Sequence, residues 1–211
     1  LKNGLQLLIN NPIERGRNWE RPCFLSYFDE GALVFGSGAG VRIHGGTSRK
    51  HDVKNFRFYF RSAYGADRFG STLLFNGRGD PLEHIIIKKA DGVHGFSNSI
   101  SYDISRKVGC IAPYTKPVRF YLNGKPHGSG NAEIIEHLSR EYLTAHLGHK
   151  DFIYYKEKGR KKIPDEYKEL QEWARYSPDV NFKNVSKKID IENFTAFWVF
   201  NIFMGNTDPY Q

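Results

Sequence analysis

Apolar and polar residues alternate most cleanly at Phe56-Arg57-Phe58-Tyr59-Phe60, where Phe56, Phe58 and Phe60 would face a core while Arg57, Tyr59 and Arg61 face outward. A period of two predicts a strand. Upstream, Pro22–Phe28 reads as a strand, Asp29-Glu30-Gly31 as its turn, and Ala32-Leu33-Val34-Phe35 as the returning hairpin partner. Leu82–Ile87 reads as a buried strand, its continuous β-branched run Ile85-Ile86-Ile87 suiting a central position. Between these strands, Ser62–Asp80 is a polar connection with a small apolar knot at Leu73-Leu74-Phe75.

Farther along, Val118-Arg119-Phe120-Tyr121-Leu122 alternates again and ends in Asn123-Gly124, the strongest short hairpin signal. Two periods compete after it. The spacing of Ile135, Leu138, Tyr142 and His146 favours a helix closed by Gly148, whereas an Asn-Gly hairpin requires a paired return strand. Ile100–Val108 is compatible with a helix. Pro164–Tyr176 reads as a short amphipathic helix with Tyr167, Leu170 and Ala174 inward and Trp173 beside them. Asp190 caps a last helix whose Ile191, Phe194, Phe197, Trp198, Phe200, Ile202 and Phe203 make it apolar nearly all round, which predicts burial. Gly205-Asn206 ends it.

Composition narrows this picture. A chain of 211 residues with 39% hydrophobic and 15% aromatic residues can bury one core or two small lobes, and is not a disordered composition. The net charge of +8 favours anionic partners without choosing among them. Cys23 and Cys110 make neither a disulfide framework nor a metal spacing, and the eight histidines contain no zinc-binding pair of the HExxH kind. The longest apolar run, Phe194–Met204, is too short to span a bilayer. The chain begins without Met and stops just after a motif, which reads as a fragment.

Candidate chemistry concentrates at Gly45-Gly46-Thr47-Ser48-Arg49 and Lys54. Paired glycines let the backbone approach a bound group and leave N–H groups free to point at an anion; Thr47, Ser48 and Arg49 add donors and Lys54 a point charge. The same residues suit a basic hairpin with a solvated turn. Gly36-Ser37-Gly38-Ala39-Gly40 has the look of a dinucleotide fingerprint but leads into a strand instead of a helix, so that reading is discarded. The basic run Lys156, Lys158, Arg160, Lys161 and Lys162 suits a solvated loop better than a docking arm.

Four ordered blocks, Asn18–Pro22, Gly45–Arg57, Tyr121–Leu138 and Phe194–Asp208, resemble the spore-coat-protein-H (CotH) kinase-like family of atypical protein kinases. Val53 stands where the family's pattern has a first lysine, Asn55 where it has serine, and Ala132 where an aromatic is common. The resemblance implies an α+β, reduced protein-kinase-like fold: a single domain over 1–211, truncated at its C-terminus, with a β-hairpin-rich lobe at 1–130 and a mainly helical part at 131–211. It keeps Asn131–Ile135 in a strand and starts the next helix near Glu136.

It also implies a chemistry. Gly45, Gly46, Ser48 and Arg49 would hold ATP phosphates, Lys54 would contact the α/β-phosphates in an ion pair with Glu136, and Asp208 of Gly205-Asn206-Thr207-Asp208 would be catalytic. Mg2+ (or Mn2+) would bridge the phosphates, with protein ligands unknown. The acceptor would be a Ser, Thr or Tyr hydroxyl of a protein, at the spore coat, the cell envelope or outside the cell. The alternatives are a non-catalytic coat or surface protein serving assembly or adhesion on the same fold, and a basic nucleic-acid-binding module.

Overall fold

In the computed structural model, which describes residues 4–70, 74–75, 81–90, 95–155 and 163–206, the alternating segments pair into one antiparallel sheet. Its strands are β1 (Arg21–Asp29), β2 (Ala32–His44), β3 (Asn55–Tyr59), β4 (His84–Lys89), β5 (Thr115–Leu122) and β6 (Lys125–Glu136), in the order β1-β2-β3-β4-β6-β5. The helices are α1 (Gly4–Asn10), α2 (Ser97–Lys107), α3 (Arg140–Leu147), α4 (Asp165–Tyr176), α5 (Phe182–Val185) and α6 (Ile191–Phe203). The α+β expectation holds.

Both predicted hairpins form, and their turns explain why. Asp29 pairs with Ala32 and Leu122 with Lys125, so each loop has two residues. Glu30 and Gly31, and again Asn123 and Gly124, all take positive φ, the geometry that matches the twist of the flanking strands. The register stacks Ile43, Phe56, Ile87 and Ile134 on one rung, and Val41, Phe58 and Ile85 on another. These side chains form the core with Phe60, Phe69, Leu74 and Phe120. Of the apolar knot, Leu74 and Phe75 are buried, and Leu73 lies outside the described residues.

The sheet curls until its two edge strands approach. Lys116 on β5 bridges to Asp29 on β1 at 3.2 Å and lies over the Tyr27 ring. Between those edges opens an apolar cavity of about 1260 Å³ lined by Leu25, Tyr27, Phe58, Ile85, Val118 and Phe120. Neither the Gly45-Gly46 turn nor Lys54 borders it.

The glycines at 36–40 serve a strand after all. A Cβ on Gly38 would lie 1.8 Å from the Tyr64 carbonyl oxygen, and one on Gly40 would lie 2.5 Å from the Glu20 carboxylate. Their absence of side chains lets those groups lie on β2.

Several expectations need correction. β6 keeps Asn131–Ile135 in a strand, as the resemblance implies, but it also takes in Glu136, which pairs with Ile85 instead of starting a helix. The next helix waits for Ser139, whose hydroxyl accepts from the Tyr142 N–H at 3.2 Å as an N-cap. Chain contacts divide the molecule into Leu1–Asp103 with Ala112–His146, and Ile104–Ile111 with Leu147–Gln211. In the second unit α4 forms where expected, but Ala174 and Tyr167 are exposed and none of its residues is buried. Helix α6 also forms, N-capped by Asp190 through the Asn193 N–H at 3.0 Å, yet Asn201 is its one buried residue. Ile202 and Phe203 are 77% exposed. Apolar composition signals a demand for burial; it does not supply the surface that meets it.

Candidate functional site

The β2–β3 connection gathers most of the expected binding residues. Gly45 has φ +118°, and a Cβ there would lie 2.2 Å from the Ser48 hydroxyl, so only glycine fits. Gly46 opens a single 3-10 turn over Thr47–Lys50 that closes with Arg49 N–H to the Gly46 carbonyl at 3.3 Å. The N–H groups of Gly46, Thr47 and Ser48 find no acceptor among the described residues, and Gly46 and Thr47 are exposed.

Arg49 does something other than expected. It is buried, and its guanidinium donates to the carbonyls of Gly45 at 2.6 Å, Pro12 at 2.9 Å and Glu14 at 3.1 Å. Burial, with Arg15 and Arg42 adding to it, holds its pKa below the ordinary arginine value. The side chain therefore ties the Pro12–Glu14 segment to the turn and fixes the turn's shape.

Lys54 is buried at the base of the same connection, and its ammonium donates to the His51 carbonyl. The Lys54 carbonyl contacts the His127 ring nitrogen at 2.8 Å. The expected ion pair with Glu136 is absent. Glu136 instead accepts from the Tyr114 N–H at 2.8 Å and contacts the His146 ring at 3.3 Å. Register gives the reason. Glu136 shares the rung of Ile85 and Phe58, whereas the connection carrying Lys54 joins β3 at Asn55. Three rungs amount to about 10 Å along the strands before two strand spacings are added.

Near the Asn55 end stands a carboxylate that sequence reasoning missed. Glu133 is fully buried and accepts from the Asn98 side chain at 2.6 Å and the Ser99 N–H at 2.7 Å. It thus satisfies the start of α2, where the helix dipole favours negative charge. Lys88 reaches the same Asn98 at 3.0 Å. The only sequence signal was an acid inside the apolar run Ala132-Glu133-Ile134-Ile135, and it cannot be told from an exposed strand position without the fold.

A second missed group stands just before β1, against β2 and the residues that follow β3. Glu20, nearly sealed from solvent, accepts from Arg42 at 3.0 Å and Arg61 at 3.2 Å. Burial alone would push its carboxyl up, but the hydrogen bonds from Arg61, Arg42 and Tyr64 outweigh it and hold the carboxyl below its ordinary value.

At the other end of the chain, α6 closes in a Schellman motif: Asn206 N–H to Asn201 carbonyl at 2.9 Å and Gly205 N–H to Ile202 carbonyl at 3.0 Å, with Gly205 at φ +60°. The Asn206 side chain adds a 2.6 Å bond to the buried Asn201 amide, which in turn donates to the Phe197 carbonyl at 2.7 Å. Thr207 and Asp208, and the basic run 156–162, lie outside the described residues.

Among the described residues no three His, Cys, Asp or Glu side chains gather to hold a metal ion, and no helix is long and apolar enough to cross a membrane. No curated protein matches the chain. The family described as CotH kinase protein matches residues 41–211, which takes in the glycine turn, Lys54, Glu136 and Asp208 and leaves Asn18–Pro22 outside. With that match over most of its length and an α+β architecture consistent with a reduced kinase-like fold, the chain belongs to the CotH kinase family.

Proposed function

We propose that the protein is an ATP-dependent protein kinase that transfers the γ-phosphate to a Ser, Thr or Tyr hydroxyl of a protein. The observation that carries this reading is the turn at Gly46-Thr47-Ser48, whose successive N–H groups have no acceptor among the described residues, together with Lys54 in the same connection. Phosphoryl transfer asks mainly for positioning and charge stabilisation, which is what such groups provide. Gly45 gives the turn its shape, Arg49 locks it, and the N–H groups with Ser48 would hold phosphate oxygens. The Lys54 ammonium uses one carbonyl partner and has two further N–H groups to offer a phosphate. Bound ATP would supply the transferable phosphoryl group. Mg2+ finds no ligand set among the described residues, so no step is assigned to it.

Asp208 would accept or orient the acceptor's hydroxyl proton, a role that rests on its place in the Gly-Asn-Thr-Asp block. Glu136 enters this reading only as the residue that orders Tyr114 and His146.

The test is transfer from radiolabelled ATP by the full-length protein, with Mg2+ or Mn2+, to itself and to a generic protein acceptor. Asp208→Asn should lower the rate by about 10²–10⁴ and leave ATP affinity near wild type. Lys54→Ala should weaken both, because its charge faces the phosphates in the ground state too. Normal transfer by Asp208→Asn would remove that residue from catalysis. A second reading, a non-catalytic assembly or adhesion protein, draws on the exposed Phe24, Phe28 and Leu33 of the first hairpin, and wins if the wild type neither binds ATP nor transfers phosphate.

A further inference from the structure

The outer face of β2 and β3 collects more positive charge than its neighbours neutralise. Arg42 and Arg57 share a rung, Arg61 follows β3, and all three guanidiniums stand against one ring, that of Tyr59, at 4.0, 4.7 and 5.3 Å from its centroid. Glu20 is taken by Arg42 and Arg61. No carboxylate among the described residues lies within ion-pair distance of Arg57, and its Nε is shut from solvent with no hydrogen-bond partner. A half-buried guanidinium in that condition has lost water without gaining an anion.

Neighbouring groups register the excess. Burial pushes the Arg57 pKa down, and Arg42 and Arg61 push it further, with Tyr59 and Glu141 opposing in part. His84, paired with Tyr59 across the sheet and with its ring 5.0 Å away, is lowered to about 4, first by burial and then by Arg57 and Arg61. The cluster is also open: the Arg42 and Arg61 side chains are 19% and 31% exposed, and Arg57 is half-buried.

We propose that Arg42, Arg57 and Arg61, held around Tyr59, form a binding site for a phosphate-type dianion, with Arg57 as its principal ligand. The guanidinium fork matches phosphate oxygens in pairs, and the Tyr59 ring gathers all three guanidiniums within 5.3 Å of its centroid before an anion arrives. A single carboxylate would balance Arg57 alone; a dianion also engages the exposed edges of its two neighbours. The site is independent of the glycine turn, since inorganic phosphate by itself tests it. Its failure would leave the kinase reading standing, and failure of that reading would leave the site standing.

The experiment follows the Arg57 Nε–H cross-peak of the full-length protein by 15N NMR at low salt, with inorganic phosphate and then pyrophosphate as probes. Arg57→Lys identifies the cross-peak by its loss. A saturable shift is expected, with affinity for phosphate falling roughly tenfold or more in Arg57→Gln and less in Arg57→Lys. An Arg57 cross-peak that ignores both probes overturns the proposal, as does wild-type affinity in a folded Arg57→Gln protein. If Arg57→Gln fails to fold, the wild-type titration decides alone. ATP then names the source of the phosphate: competition with inorganic phosphate at Arg57 supports a nucleotide site, and ATP binding that leaves Arg57 untouched supports a phosphate carried by another molecule.

Discussion

The inner face of the sheet carries Val41, Ile43, Phe56, Phe58, Ile85, Ile87 and Ile134; one residue along, the outer face carries Arg42 and Arg57 beside Ile86 and Ile135. Inside, stability comes from apolar area removed from water, which is non-directional and has no charge to titrate or screen. Outside, on β2 and β3, it comes from a few charged groups whose geometry must be right: Glu20 between Arg42 and Arg61, and three guanidiniums on Tyr59. On the inner face Phe56 is 1% and Ile85 0% exposed, and Val41, Phe58, Ile87 and Ile134, which border the cavity there, are apolar with no charge to balance. The outer face keeps an unsatisfied Arg57. A surface devoted only to stability would have no reason to hold that charge open, so the contrast marks where chemistry is to be sought.

The sharpest way to break this contrast is Phe56→Ala. Removing a fully buried ring from the centre of the inner face should cost about 4 kcal/mol, read from urea unfolding, and the loss should be the same at low and high salt. A strong salt dependence there would erase the distinction between the faces.

Acid titration probes the outer face next. His84 falls from 6.5 to about 4 on folding, so between those values the unfolded chain binds the extra proton. Stability from keeping His84 neutral is therefore complete above about pH 6.5 and is lost as pH drops toward 4, by at most about 3 kcal/mol. His84→Gln should flatten that limb of the Tm-against-pH curve. An unchanged limb would assign the acid sensitivity to other groups.

Glu20→Gln should give the smallest of the three effects, about 2 kcal/mol, since the amide keeps some hydrogen bonds but leaves Arg42 and Arg61 without a counter-charge. The glutamate's folded pKa is depressed, so its contribution is present above about pH 4.5 and disappears as pH falls through the folded value. The penalty of Glu20→Gln should accordingly vanish in acid. A penalty that persists there would make the site one of shape and not of charge.

How much of this was legible in the chain depends on the range of each interaction. The two hairpins were readable because Glu30-Gly31 and Asn123-Gly124 encode positive φ locally, whatever surrounds them. The helix of α6 and its caps at Asp190 and Gly205 were readable for the same reason. So was the Gly45-Gly46 turn, where the requirement for glycine arises within four residues. Lys54 with Glu136 failed because it depended on strand register across β3, β4 and β6, which no local pattern encodes. Arg49 was misread because its partners, the carbonyls of Pro12 and Glu14, come from a distant segment.

By itself, then, the sequence determined the hairpin strands and their turns, the limits of α6 at its caps, and membership of the CotH kinase family through motifs whose order survives without coordinates. Tertiary structure decided everything that joins residues remote in the chain. It put Glu20 over Gly40 between two arginines, sealed Glu133 against the start of α2, left α6 exposed and set three guanidiniums on one tyrosine. The reason is physical: turn and cap preferences act over a few bonds, whereas burial and charge pairing are properties of whatever the folded chain brings within a few ångströms.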